Sequence, residues 1–256
     1  MSFQYLSVED AILRRGLRMV VVGQVPSPWS EAAKGIFHVK GIDFAAVRLV
    51  YDNDALKAWA RDLSGPIAIY DDEPPRTGWA EILMLAERLA PTPALLPVEP
   101  EPRARALRLA DDFCGPDGLG WHRRLQLVHA GLTNSGGFPE RIAGYLGKKY
   151  GYAPAGTARS TARVRELLDG FAAVLRAQRD AGSEYYLGSG LSAVDIYSAT
   201  FMAMFKLLPQ EQCAMNPDLR RAFEWQDEPT AAALDSILLE HRDRVYARHL
   251  VLPLSL

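Results

Sequence analysis

Prolines stand at positions 91, 93, 97, 100 and 102. Each fixes φ and lacks an N–H donor, so the stretch is neither regular helix nor central strand. It separates two kinds of sequence. Before it, short β-branched runs alternate with helical patterns, in the order β-α-β-α-β-(β)-α. After it, almost every segment has helical spacing. This predicts an α/β domain over residues 1–90, a linker over 91–102 and an all-helical domain over 103–256.

In the first part, a short helix is expected over 7–16, opened by Ser7-Val8-Glu9-Asp10. Strands are expected over 17–22, 44–51 and 66–70. Helices are expected over 29–39, closed by Lys40-Gly41, over 54–63 and over 78–89. In the second part the expected helices are 102–130, 159–181, 192–208, 217–226 and 231–249. A shorter one is expected over 141–149, inside a glycine- and aromatic-bearing segment. The 191–208 stretch is strongly apolar, but Asp195 and Lys206 lie within it, so a buried helix is expected and not a membrane span.

Composition narrows the function classes. The chain of 256 residues is 48% hydrophobic and 23% charged, enough apolar material for real cores. Twenty-nine basic and 31 acidic residues leave a formal charge of −2, with no general pull toward nucleic acid or an anionic membrane. The basic pairs Arg14-Arg15 and Arg220-Arg221 read as solvated helix faces. Cys114 and Cys213 have no metal-ligand spacing, and the five histidines form no cluster. A reduced, cytoplasmic setting follows from so few cysteines. Charges at Glu9, Asp10, Arg14 and Arg15 interrupt any apolar leader.

Three features carry chemistry. The first is Ser27-Pro28-Trp29-Ser30, between a strand and a helix. Free N–H groups and the positive dipole end favour an anion at such a place, a thiolate included. A serine hydroxyl there can donate to a bound thiolate. The same residues also suit plain capping, with Ser27 or Ser30 as N-cap and Pro28 at the first helical position. The second is Gly65-Pro66 at the start of a strand, where an interior proline is otherwise awkward. The third is Ser192-Ala193-Val194-Asp195, a capping-box spacing that opens the most apolar helix.

In this order and at these separations, the three features resemble the glutathione transferase family. The matching strings are SPWSEAAKGIFHVKGIDFAAVRL, GPIAIYDDE, WAEILMLAERLAPTPALLP, YYLGSGLSAVDIY and HRDRVYARHL. The resemblance covers the chain from about Leu17 to Leu250. It implies a thioredoxin-like first domain that binds glutathione as co-substrate, followed by a helical bundle. It implies Ser27 as the catalytic serine. Pro28, Trp29, Ser30, Gly65 and Pro66 then belong to the glutathione site, with Gly65–Pro66 in the cis form. It further implies a small hydrophobic electrophile as second substrate and a homodimer.

One departure from the family pattern concerns the γ-glutamyl end of the ligand. The family's acidic residue and serine at the start of the next helix fall here on Gly78-Trp79. Thr77 and Arg76 are the remaining candidates to hold a carboxylate, and Trp79 is equally suited to core packing. The loop at Ser27 has no cysteine, so exchange through an enzyme thiol is not expected. Trp121, His122, Tyr145 and Tyr152, with Lys148 and Phe205, are candidates for the second pocket. Two other outcomes stay open at this level: a non-catalytic binding protein, and a glutathione-dependent isomerase or lyase.

Overall fold

A computed structural model describes residues 5–256. The central strand β2, Leu17–Val21, is buried at every position. It pairs in parallel with β3, Phe44–Arg48, and antiparallel with β4, Ile67–Tyr70. A short strand β1, Tyr5–Leu6, which the sequence pattern did not reveal, extends the sheet in the order β1-β3-β2-β4. The bracketed extra strand reduces to one antiparallel bridge, Ala68 with Arg76. A strand buried on both faces needs cover on both. Helices α1, Val8–Leu13, and α3, Asp54–Ala60, bring Val8 and Leu56 to a cluster with Val20, Val47 and Ile67. Helices α2, Pro28–Val39, and α4, Trp79–Leu89, pack Phe37 and Leu83 with Met19 on the other face.

That second core continues into the helical domain. The order there is α5 Pro100–Cys114, α6 Leu119–Leu132, α7 Glu140–Tyr150, α8 Thr157–Asp180 and α9 Ala193–Phe201. Helices α10 Pro217–Glu224, α11 Glu228–Ala233 and α12 Ser236–His249 complete it. Phe113 stacks on Phe171 at 3.7 Å, and Trp29 of α2 meets Phe201 of α9 edge-on at 5.0 Å. Among the described residues no helix is long and apolar enough to cross a membrane.

Several boundaries differ from expectation. The span 102–130 is two helices, not one. The Gly115 N–H closes α5 on Asp111, and a Cβ at Gly115 would lie 2.3 Å from the Asp111 carboxylate. The span 192–208 stays α-helical only to Phe201 and tightens into a 3₁₀ turn over Met202–Met204. The span 231–249 holds the end of α11 and a separate α12, because Asp235 caps a new start at Ile237. Arg220 is no solvated face. Its guanidinium donates to the carbonyls of Leu208 and Cys213.

The capping box forms and is buried. The Asp195 carboxylate accepts from the Ser192 N–H and hydroxyl, at 2.8 and 2.6 Å. Its other oxygen accepts the Tyr186 N–H at 2.8 Å and sits 2.9 Å from His241 Nε2. The start of α9 is thereby locked to the 186 turn and to α12. The proline-rich stretch is also tied down. Lys40 reaches Glu87 at 2.5 Å and the Pro93 carbonyl at 2.7 Å. Residues 250–256 return over α2, where Lys34 donates to the Ser255 carbonyl at 2.9 Å.

Candidate functional site

The site is assembled where β2 ends and α2 begins. Gln24 turns the chain with φ of 65°, and Ser27 is the N-cap residue, followed by Pro28 in the first turn. The Ser27 carbonyl starts the helical ladder by accepting the Glu31 N–H at 2.8 Å. Its side chain makes no cap hydrogen bond, so the hydroxyl is not committed to its own helix. Ser30 behaves differently from a cap. It lies inside α2, fully buried, and its oxygen accepts the Val22 N–H at 3.2 Å. It therefore fastens the end of β2 to the helix.

The Gly65–Pro66 peptide is cis. Gly65 lies against the backbone of Val20 and Val22, so the strand carrying Pro66 is next to the Ser27 loop. Trp29, Ala33, Ile36, Pro66, Thr77 and Trp79 surround a small cavity of about 20 Å³, closed from the helical side by Tyr197. That is room for a single water. Trp79 takes part in the packing expected of it. Its ring meets Tyr197 edge-on at 5.8 Å, and its carbonyl accepts the Tyr197 hydroxyl at 3.4 Å.

The start of α4 is where a ligand carboxylate would meet free N–H groups. Here Glu81, in the first turn, reaches back and accepts the N–H groups of Gly78 and Thr77, at 3.1 and 3.2 Å. Arg76 is already paired with a carboxylate of its own chain. It donates to Glu73 at 2.5 Å, beside Arg88. Hydrogen bonds from Arg88 and then Arg76 hold the Glu73 carboxyl below its ordinary range. Thr77 is exposed at the rim.

The second-pocket candidates divide. His122 is buried and turned into the helical domain, with Nδ1 3.1 Å from the Ser160 hydroxyl and Nε2 2.8 Å from Asp117. Tyr152 binds His129 at 2.8 Å. Phe205 is buried under Arg123, and Lys148 is solvent-exposed in the last turn of α7. Trp121 and Tyr145 belong to one cluster. Trp121 packs on Tyr150 at 4.6 Å, and Tyr145 meets Tyr51 of the α/β domain at 5.5 Å. Desolvation, then Tyr145, push the Tyr51 phenol up to about 12.

At the base of this cluster is Arg124, a residue without a motif of its own. Gly120 and Arg124, one turn apart on α6, both face Trp29, and the guanidinium is 6.0 Å from that ring. The arginine therefore sits against the helix that starts at Ser27. Both cysteines are buried, and the Cys114 carbonyl accepts the Trp29 indole N–H at 3.0 Å. Burial raises the Cys114 thiol well above its usual value and the Cys213 thiol to about 11.

No protein-family model and no curated protein matches the chain. Solved structures do. A glutathione S-transferase from Methylobacterium radiotolerans JCM 2831, in complex with glutathione sulfonate, is 18% identical over 91% of each chain, with a TM-score of 0.58. Glutathione transferase Omega 3C from Trametes versicolor is 17% identical over 94% of this chain and 89% of its own, with a TM-score of 0.59. A glutathione transferase family member from Pseudomonas fluorescens Pf-5, with two glutathione bound, is 12% identical over 91% and 89%, with a TM-score of 0.61. The chain has the glutathione transferase fold: a thioredoxin-like α/β domain followed by a helical domain.

Proposed function

We propose that this chain is a glutathione transferase. The α/β domain binds glutathione beside Pro66, and the Ser27 hydroxyl donates a hydrogen bond to the thiolate. The sulfur then attacks a small electrophile held by the helical domain. The supporting observation is an uncommitted serine at the N-cap of α2, next to the strand that opens at cis Gly65–Pro66. A helix start and one charge-assisted hydrogen bond both favour the ionised sulfur. No enzyme thiol is required, in keeping with two buried cysteines. Rate then comes from ionisation and from holding the two reactants together.

The reading includes a two-fold dimer, a cytoplasmic location and the division at residues 91–102. The cysteinyl half of glutathione fits the residues present. The γ-glutamyl half meets a helix start already occupied by Glu81, which is the observation that favours the non-catalytic alternative. Calorimetric titration with glutathione, beside a thiol-conjugation assay, decides between them. Binding with turnover supports the transferase. Absence of binding leaves a protein that keeps the fold for another ligand.

A further inference from the structure

Arg123 and Arg124 are adjacent and both buried, yet they are partnered in opposite ways. Arg123 donates to the carbonyls of Met204, Phe223 and Trp225 and to the Gln126 side chain. Its donors are satisfied, and it holds α6 to the end of α9 and to α10. Arg124 is 7% exposed, its Nε is buried without an acceptor, and it makes no hydrogen bond or ion pair among the described residues. Four rings surround it instead: Phe138 at 5.5 Å, Phe223 at 5.8 Å, Tyr150 at 5.9 Å and Trp29 at 6.0 Å.

Rings attract a guanidinium through its flat face. They cannot accept its in-plane N–H groups, which need oxygen acceptors. The Nε–H in particular is buried with no acceptor, which is costly and which natural interiors rarely leave without a reason. The electrostatic surroundings add to the imbalance. Desolvation, then repulsion from Arg124, pull the Lys149 ammonium pKa down, so a second cation lies within reach of the first. Nearby, Tyr51 and Tyr145 meet, both substantially exposed and one from each domain, and Lys149 is exposed as well. Arg124 thus lies among aromatic rings, beside Trp29 in the first turn of α2, with the exposed Tyr51–Tyr145 pair close by.

We propose that Arg124, assisted by Lys149, receives the carboxylate of the second substrate, which is therefore an anion with a flat unsaturated body. A carboxylate matches the guanidinium fork with two parallel hydrogen bonds, and a flat body matches the rings. The assignment of this site to the second substrate rests on the transferase reading. Its anion preference does not.

The test uses matched acid and amide probes on the full chain. Binding of dinitrobenzoate and of dinitrobenzamide is measured by titration without glutathione. Conjugation is measured with the corresponding chloro-dinitrobenzoate and its carboxamide. In that reaction the glutathione sulfur bonds to the ring carbon, and chloride leaves with the C–Cl electron pair. Wild type is expected to bind the acid at least about tenfold more tightly than the amide. Arg124→Gln brings that ratio close to one, and Lys149→Gln lowers it less. Equal binding of acid and amide by the wild type overturns the proposal with no variant needed, so a poorly folding Arg124→Gln does not shield it. Retention of the preference in a folded Arg124→Gln overturns it too. Acid preference without conjugation or glutathione binding upholds the anion site and removes the transferase reading.

Discussion

The Glu81 carboxylate accepts the Gly78 amide at 3.1 Å, at the point of α4 where an external carboxylate would otherwise be held. The helix is stabilised from within by an acid of its own first turn. Any ligand that uses these N–H groups has to displace Glu81 first. The contact therefore sets an opposition between the stability of α4 and affinity for an anionic ligand.

Glu81→Ala removes the competitor. Glutathione affinity is expected to rise by about tenfold, near the lower end for one charge-assisted hydrogen bond. Stability is expected to fall by about 0.5–2 kcal/mol, the usual range for losing a helix cap. Calorimetry and a thermal melt on the same preparation read both effects. Weaker glutathione binding in the variant would show that Glu81 helps to hold the ligand.

Asp195→Ala is expected to be far more damaging than loss of a surface cap. The carboxylate serves Ser192, Tyr186 and His241 together and is fully buried. Removing it strands several buried donors, each worth about 1–3 kcal/mol, so a loss of about 3–5 kcal/mol is expected. The urea midpoint should drop with little change in slope. A loss below about 1 kcal/mol would mean that water replaces the carboxylate.

Cys114 and Cys213 are expected to resist alkylation by iodoacetamide near neutral pH. Burial holds both thiols protonated, and the thiolate is the reactive form. Mass spectrometry should find no label on the native chain within minutes and two labels after unfolding in guanidinium. Rapid labelling of one thiol in the native chain would reopen chemistry through an enzyme cysteine.

What the sequence reveals here is what depends on neighbours along the chain. Ser27-Pro28, Gly65-Pro66 and Ser192 to Asp195 are local signals, and each stands where its pattern implies. The proline-rich stretch is less simple, since its last two prolines, Pro100 and Pro102, sit in the first turn of α5, where a missing N–H costs nothing. Arg124 is different. Its position against Trp29 depends on the bend at Gly115 to Gly118, on α7 folding back to present Tyr150, and on Phe223 from α10. No spacing in the sequence joins these residues. His122 shows the converse, since a histidine in a plausible region turns out to have both ring nitrogens engaged within the helical domain. Side-chain type suggests a role, but the partners that settle it come from distant segments.

Ser27 and Ser30 provide the sharpest test, because two serines three residues apart on one helix have separate duties. The Ser27 hydroxyl is uncommitted at the helix start, whereas Ser30 accepts the Val22 N–H at 3.2 Å from a fully buried position. Under the proposed mechanism, Ser27→Ala removes one hydrogen bond to a charged sulfur, worth about 1.5–3 kcal/mol. Turnover should fall by about ten- to a hundredfold, with a smaller change in glutathione binding and almost none in melting temperature. Ser30→Ala leaves the partly buried Val22 N–H without its acceptor, at a cost of about 1 kcal/mol in stability. Its turnover should change less, and only as far as the loop loosens. The two variants thus move different observables, and conjugation rates, glutathione titrations and thermal melts on both separate them. If Ser27→Ala turns over at the wild-type rate, the hydroxyl has no part in ionising the sulfur. The thiolate would then depend on the start of α2 alone.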